Sequence, residues 1–322
     1  MAHDRKFRFG VQVSGLSAAG QNAHKYGAKD WQEMARKVEA LGYSTLFMPD
    51  HFIDTELAPM VGIAFAAAAT TTLKVGHLVL GNDYKHPAIT AKEAATIDLL
   101  SDGRVELGIG AGWMKVDYDA LGLTYDRPGV RIERLEEALA VINGAWGSES
   151  FSFSGEHYQI TNYNGLPKPV QKPRPPIVIG GGGQRLLGLA GREADIVGIN
   201  PNLRAGEIGV EAVRDSLADI TAQKIQWVRD GAGDRYDDLE LQIRYFLASV
   251  TDDAAGFAEV MAPNFGISAD EALNSGVALV GSIDECADIL RARREAWDVS
   301  YIVFGHDNFE EFAPLVAQLA GT

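Results

Sequence analysis

The chain predicts an α/β fold, a closed (β/α)8 TIM barrel with insertions. Three observations carry that prediction. Short apolar strand patterns alternate with helical ones along nearly all of the 322 residues, which is the pattern of a parallel sheet covered by helices. Eight such strands can be counted, the number that closes a barrel. The segments richest in glycine and in polar side chains each follow a strand, so candidate chemistry gathers at strand carboxyl ends, where barrels of this kind carry their active sites. A doubly wound open sheet competes, but the first strand has no glycine-rich turn running straight into a helix. Barrels reach this length as one domain, so residues 1–322 are expected to form a single domain with insertions at about 151–176 and 252–280.

The elements follow in order. Residues 7–13 alternate with period two and read as strand one. Asp30 is placed to cap a helix over 31–41, with Met34, Val38 and Leu41 on one face and Gly42 as its stop. Strand two spans 44–48, a small-residue helix 58–70, strand three 73–80 and a helix 88–100. Ser101-Asp102-Gly103 turns into strand four at 104–109. A long amphipathic helix covers 127–146, with Ile132, Leu135, Leu139 and Ile142 inward. Aromatics, glycines and prolines over 151–176 suit a hairpin and an extended loop. Strands at 177–180 and 195–199 bracket a helix at 184–191. A helix at 207–230, a strand at 241–250, a helix at 282–297, a strand at 299–304 and a helix at 310–319 complete the cycle.

Composition narrows the function. A net charge of -15, from 29 Lys and Arg against 44 Asp and Glu, argues against nucleic-acid binding, which needs a basic face. No run approaches the ~20 apolar residues that span a bilayer, and the start does not read as a signal-peptide core. A cytoplasmic protein acting on a small molecule is expected. The single cysteine, Cys286, excludes an internal disulfide and reads as an apolar filler of its helix. His51, His77 and His86 lie on separate elements without metal-ligand spacing, so no metal is predicted.

Four segments could carry chemistry. Asp50-His51 ends strand two, where an imidazole can donate to or accept from a ligand; the plainer reading has Asp50 capping a turn and His51 packing under a loop. The loop from Gly81 to Pro87 follows strand three. Gly108-Ile109-Gly110-Ala111-Gly112-Trp113 ends strand four; Gly108 and Gly110 are explained by close packing of barrel layers, whereas Gly112 and Trp113 are candidates for a pocket wall. Gly180-Gly181-Gly182-Gly183 ends a strand and opens a helix, and its amides, with a helix dipole behind them, suit a phosphate. His77 reads as a core histidine, and Asp252-Asp253 as a helix cap. No nucleophile elbow or carboxylate pair suggests hydrolysis.

Phe47-Met48-Pro49-Asp50-His51, the string from Asp98 to Trp113 and the glycine run at 180–183 together resemble the bacterial luciferase-like superfamily, and within it the branch of oxidoreductases that use the deazaflavin coenzyme F420. The resemblance implies a luciferase-like barrel, usually a homodimer, that binds its cofactor at the strand carboxyl ends. It implies a non-proline cis peptide near Leu78-Val79 backing the ring, with Asp50 offering backbone beside it. His51 would handle a proton next to the ring, Ala111 and Gly112 would approach the ring or ribityl chain, and Gly181, Gly182 and Gly183 would hold the phosphate. Asp98 and Arg104 would fix the turn before strand four. Sugar-phosphate dehydrogenases of this branch carry a glutamate where this chain has Trp113, so Trp113 points to a more apolar substrate pocket. The reading is hydride transfer between F420 and a small organic substrate. An FMN-dependent monooxygenase and a flavin-binding protein without turnover are the alternatives.

Overall fold

In a computed structural model, which describes residues 4–13, 27–53, 57–207 and 209–322, the apolar strands pair in the order their sequence neighbours impose. Among the described residues, eight parallel strands close into a barrel: β1 Arg8–Gln12, β2 Thr45–Met48, β3 Lys74–His77, β4 Val105–Gly110, β5 Ile177–Gly181, β6 Ile196–Ile199, β7 Glu240–Arg244 and β8 Val299–Gly305. Closure runs from β8 to β1, with Arg8 opposite Tyr301 and Gln12 opposite Gly305, and β3 reaches β4 through Val75 and Val105. The expected strand at 73–80 is therefore two pieces. After His77 the chain passes a cis Leu78–Val79 bond and resumes pairing with β4 at Leu80–Gly81.

Period-two alternation sorts the side chains of each strand. Leu46, Val75, Leu107, Ile109, Ile177, Ile179, Val197, Leu241, Ile243, Ile302 and Phe304 face the helices and join the main core. Phe47, Leu78, Val178, Ile196, Tyr301 and Val303 fill the barrel. At its amino-terminal end the interior holds charge. Arg8 contacts Glu106 at 2.5 Å and Glu240 at 2.8 Å, and Lys74 reaches Glu106 at 3.2 Å. Burial pushes the Glu106 carboxyl up, but Arg8 and Lys74 outweigh it and keep it ionised. That cluster lies at the end of the barrel associated with stability.

Several expectations need correction. Asp30 is not the N-cap of the first helix, Ala28–Ala40; Gly27 is, and Asp30 accepts the Gly27 amide at 3.0 Å from inside the first turn. The helix expected at 207–230 is two, Val210–Arg214 and Ala218–Ala232. The buried Lys224 ammonium draws the intervening turn in, donating to the Asp215 carbonyl at 2.6 Å and to Asn200 O at 2.9 Å. The strand expected at 241–250 leaves the barrel after Arg244, and Leu247–Val250 pairs instead with Ala278–Gly281. Asp98 holds the turn that follows it through its carbonyl, which accepts Gly103 N at 2.8 Å, but its side chain reaches elsewhere. Its carboxylate accepts the Val170 and Gln171 amides at 2.7 and 3.1 Å and so anchors the extended insertion, while Arg104 binds Ser101 O, Leu73 O and Ala67 O.

Other details agree with the pattern. The insertion contains the hairpin Phe151–Ser154 and Gln159–Tyr163. Asp253 caps Ala254–Met261, accepting Gly256 N at 2.9 Å. Cys286 is buried, and His86 caps Pro87–Leu100 by accepting Ala88 N at 3.2 Å. No described helix is long and apolar enough to cross a membrane.

Candidate active site

The strand ends converge on one mouth, and its floor is the bulge after β3. Gln12 donates from β1 to the Leu78 carbonyl, Leu78 N donates to Met48 O at 3.0 Å, and Asp50 accepts Gly81 N at 3.1 Å. The bulge is thus tied to β1 and β2. The Asp50 side chain makes the Gly81 contact, and burial pushes its carboxyl up to about 6. Three glycines of β4 and β5 face the bulge. A Cβ at Gly108 would run into the His77 carbonyl, and one at Gly110 or Gly180 would press on the Val79 methyls, at 2.9 and 3.4 Å. These glycines form a socket for Val79.

His51 leaves the end of β2 half-buried. Its Nδ1 lies 2.7 Å from Asp117 Oδ2, and its ring meets Trp113 edge to face with centroids 5.4 Å apart. Asp117 is buried, and its other oxygen accepts the amides of Phe52 and Ile53 at 2.9 and 3.3 Å. Burial raises this carboxyl, but the bonds from His51 and the two amides outweigh burial and hold it below the usual carboxylate range. A carboxylate at Nδ1 places the proton of a neutral imidazole there and leaves Nε2 as the acceptor. The pair can therefore take a proton from a ligand oxygen, or return it.

Asp117 is the residue that sequence reasoning missed. It sits on Lys115–Leu121, a seven-residue helix with little hydrophobic pattern. The available signal was its place four residues after Trp113, one turn beyond the strand end. Gly112 has φ +74°, and a Cβ there would meet the Tyr118 hydroxyl, which donates to Asp83 at 3.0 Å. Tyr125 donates to the Trp113 carbonyl at 2.8 Å. Trp113 and His51 are thus held from behind, while the Ala111 side chain is buried in the main core.

The glycine run differs residue by residue. A Cβ on Gly181 would strike Leu186, and one on Gly182 would strike the backbone of Asn200 and Pro201. Gly183 is open, with only the Asn202 amide nitrogen 3.6 Å from where its Cβ would stand. It is the N-cap of the ten-residue helix Gln184–Glu193 and makes no side-chain cap. The first-turn amides there have no capping oxygen of their own, an arrangement that accepts a phosphate. A planar ring over Val79 and one phosphate at Gly183 fit the residues present. His77 is fully buried on the outer side of β3, and burial drives it down to about 3. It takes no part in the mouth.

With this geometry in place, comparisons with known proteins give a consistent picture. The chain matches the luciferase-like monooxygenase family over residues 7–255. It is 34% identical over 156 residues to an FMNH2-dependent dimethylsulfone monooxygenase of Pseudomonas putida, covering 48% of this chain and 41% of that one. It is 29% identical over 181 residues to an F420-dependent glucose-6-phosphate dehydrogenase of Amycolatopsis mediterranei, covering 54% of each. These matches span about half the length of those relatives, or less. In three dimensions the chain superposes on the coenzyme F420-dependent tetrahydromethanopterin reductase of Methanopyrus kandleri with a TM-score of 0.73 at 18% identity, covering 98% of this chain and 99% of that one.

Proposed function

The chain belongs to the luciferase-like monooxygenase family, and we propose that it is an oxidoreductase that moves a hydride between coenzyme F420 and a small organic substrate. The observation that carries this reading is the His51–Asp117 pair, 2.7 Å apart, beside Trp113 at the barrel mouth. Hydride transfer to or from a carbonyl needs a proton moved at the oxygen, and His51 is arranged to move one.

F420, when bound, supplies the hydride-carrying carbon at position 5 of its ring. The chain supplies the rest. Leu78 and Val79 back the ring, and Asp50 and Gln12 fix the bulge that presents them. The amides at Gly183 and the first turn after it hold the phosphate, with Gly181 and Gly182 allowing the close turn. Gly112 and the backbone of Ala111 border the ring. Trp113 walls the substrate side and orients an apolar substrate. His51 Nε2 takes the hydroxyl proton when an alcohol is oxidised and returns it in the reverse direction, and Asp117 stabilises the imidazolium that forms.

A second reading, an FMN-dependent monooxygenase, is favoured by the 34% identity to the Pseudomonas putida relative. Parallel titration of the purified apoprotein with F420 and FMN separates the two: F420 binding tighter than FMN supports the proposal, and tight FMN binding without F420 binding overturns it. A cofactor that binds but is never turned over by alcohols, carbonyls or activated alkenes would make the protein a flavin carrier.

The same reading includes a second copy of the chain. Pro59–Ala69 exposes Val61 and Phe65, at 69% and 42%, and Pro87–Leu100 beside it exposes Ile89 at 51%. Two such helices from each copy would cover one another. Light scattering is expected to give twice the chain mass of 34.7 kDa; a monomer would refute the pairing.

A further inference from the structure

On β7 the side chains of Glu240, Gln242 and Arg244 share the barrel's inner face, since Leu241 and Ile243 join the outer core. Glu240 is consumed by Arg8 at the amino-terminal end. The other two are not consumed. Gln242 is 1% exposed, and neither its amide oxygen nor its amide nitrogen has a partner. Arg244, one step nearer the mouth, has a buried Nε without a partner, and no hydrogen bond or ion pair joins its guanidinium to another described residue.

The surroundings hold that guanidinium in place. It stacks on Phe246 at 4.1 Å, and Gly305, at the end of β8, would bring a Cβ within 3.4 Å of its terminal nitrogen. Asp307, which lies 3.1 Å from His306 Nε2, also acts on the guanidinium electrostatically and favours its charged form. Gly198 on β6 lies beside the Gln242 amide, and a Cβ there would stand 3.5 Å from its oxygen. Burial draws Arg244 down to about 10, so it stays cationic at neutral pH. In a chain of net charge -15, a partly buried arginine whose buried Nε has no hydrogen-bond partner costs stability, a pattern expected where a ligand supplies the missing partner.

We propose that Arg244, with Gln242 beneath it, is the anion-recognition site of the substrate half of the mouth, and that the substrate carries a carboxylate. A guanidinium fork matches a carboxylate with two parallel hydrogen bonds, and the Gln242 amide offers a further donor. The carboxylate would be held on the β7 to β8 side, across the barrel from Val79, so that the apolar body lies toward Trp113. The term substrate rests on the proposed oxidoreductase function; the anion site itself does not.

The test is calorimetric titration of the full chain with matched acid and amide probes: benzoate and benzamide, phenylacetate and phenylacetamide, hexanoate and hexanamide. The expected result is that at least one acid binds about tenfold or more tightly than its amide, the order of one charge-assisted bond. Arg244→Gln is expected to abolish that preference, Arg244→Lys to retain part of it, and the melting temperature of Arg244→Gln to be unchanged or raised. Equal binding of acids and amides, no acid binding, or a preference surviving in Arg244→Gln overturns the proposal. So does a preference lost together with a large fall in melting temperature, which would assign Arg244 to the scaffold. No turnover is measured, so failure of the hydride-transfer reading leaves this result intact.

Discussion

Replacing Asp117 with asparagine changes one atom of the candidate site and reverses its chemistry. Asp117 Oδ1 accepts two backbone amides, from Phe52 at 2.9 Å and Ile53 at 3.3 Å. An asparagine must put its carbonyl oxygen there, because an NH2 group would face two donors. The NH2 then takes the place of Oδ2, 2.7 Å from His51 Nδ1. Nδ1 must become the acceptor, the imidazole proton moves to Nε2, and the acceptor that faced the substrate is gone. The lost charge-assisted bond is worth roughly 1.5–3 kcal/mol, and a general base in the wrong tautomer loses about 10² to 10⁴ in rate. Steady-state kinetics followed by cofactor absorbance should show kcat for Asp117→Asn reduced by that factor, with cofactor Kd and substrate KM within roughly threefold of wild type. A wild-type kcat would remove Asp117 from the proton transfer, and so would a loss confined to cofactor affinity.

Three further outcomes follow from the same geometry. His51→Ala should lower kcat by about 10² to 10⁴ while cofactor titration stays near wild type; unchanged turnover removes His51 from the chemistry. Gly182→Ala should lower unfolding free energy by about 1–3 kcal/mol through overpacking, because its Cβ would enter the Asn200 and Pro201 backbone, whereas Gly183→Ala should keep the stability and weaken cofactor binding. Equal behaviour of the two variants in urea unfolding and titration would contradict the separate roles given to them. His77, held down to about 3 by burial, is neutral when folded but charges near 6.5 when unfolded, so the unfolded state binds more protons and its contribution to stability falls as pH drops below that value. The term reaches ~2 kcal/mol by pH 5. Asp50, raised to about 6, acts oppositely, adding stability as pH falls from 6 toward 4, so the measurement is the difference between wild type and His77→Leu in urea at pH 7 and pH 5. A difference independent of pH would refute it.

Much of the barrel was legible because its determinants are local. Alternating strands, apolar helix faces and stops such as Gly42 can be read without knowing what packs on what. The errors fall where a distant residue decides. Lys224 breaks the 207–230 helix by binding Asp215 and Asn200, and the strand after β7 departs because Ala278–Gly281 offers it another partner. Both bonds are tertiary, and propensity does not contain them. The site divides the same way. His51, Trp113 and the 180–183 run announce themselves by type and position at strand ends. Asp117 and Gln12 do not, since each acts through another residue: Asp117 on the His51 ring and Gln12 on the Leu78 carbonyl. Arg244 was visible only as the last of three polar residues at alternate positions, and its significance lies in a buried Nε without a hydrogen-bond partner among the described residues, which sequence cannot state.

In the proposed function the bulge at Leu78–Val79, the amides at Gly183 and the His51–Asp117 pair form one cofactor site. The most direct measurement is a crystal structure of the protein with F420. The ring is expected against Val79 with His51 at its edge, and the phosphate within hydrogen-bond distance of the Gly183 and Gln184 amides. A ring bound elsewhere on the barrel, or a phosphate held away from that helix end, would contradict it.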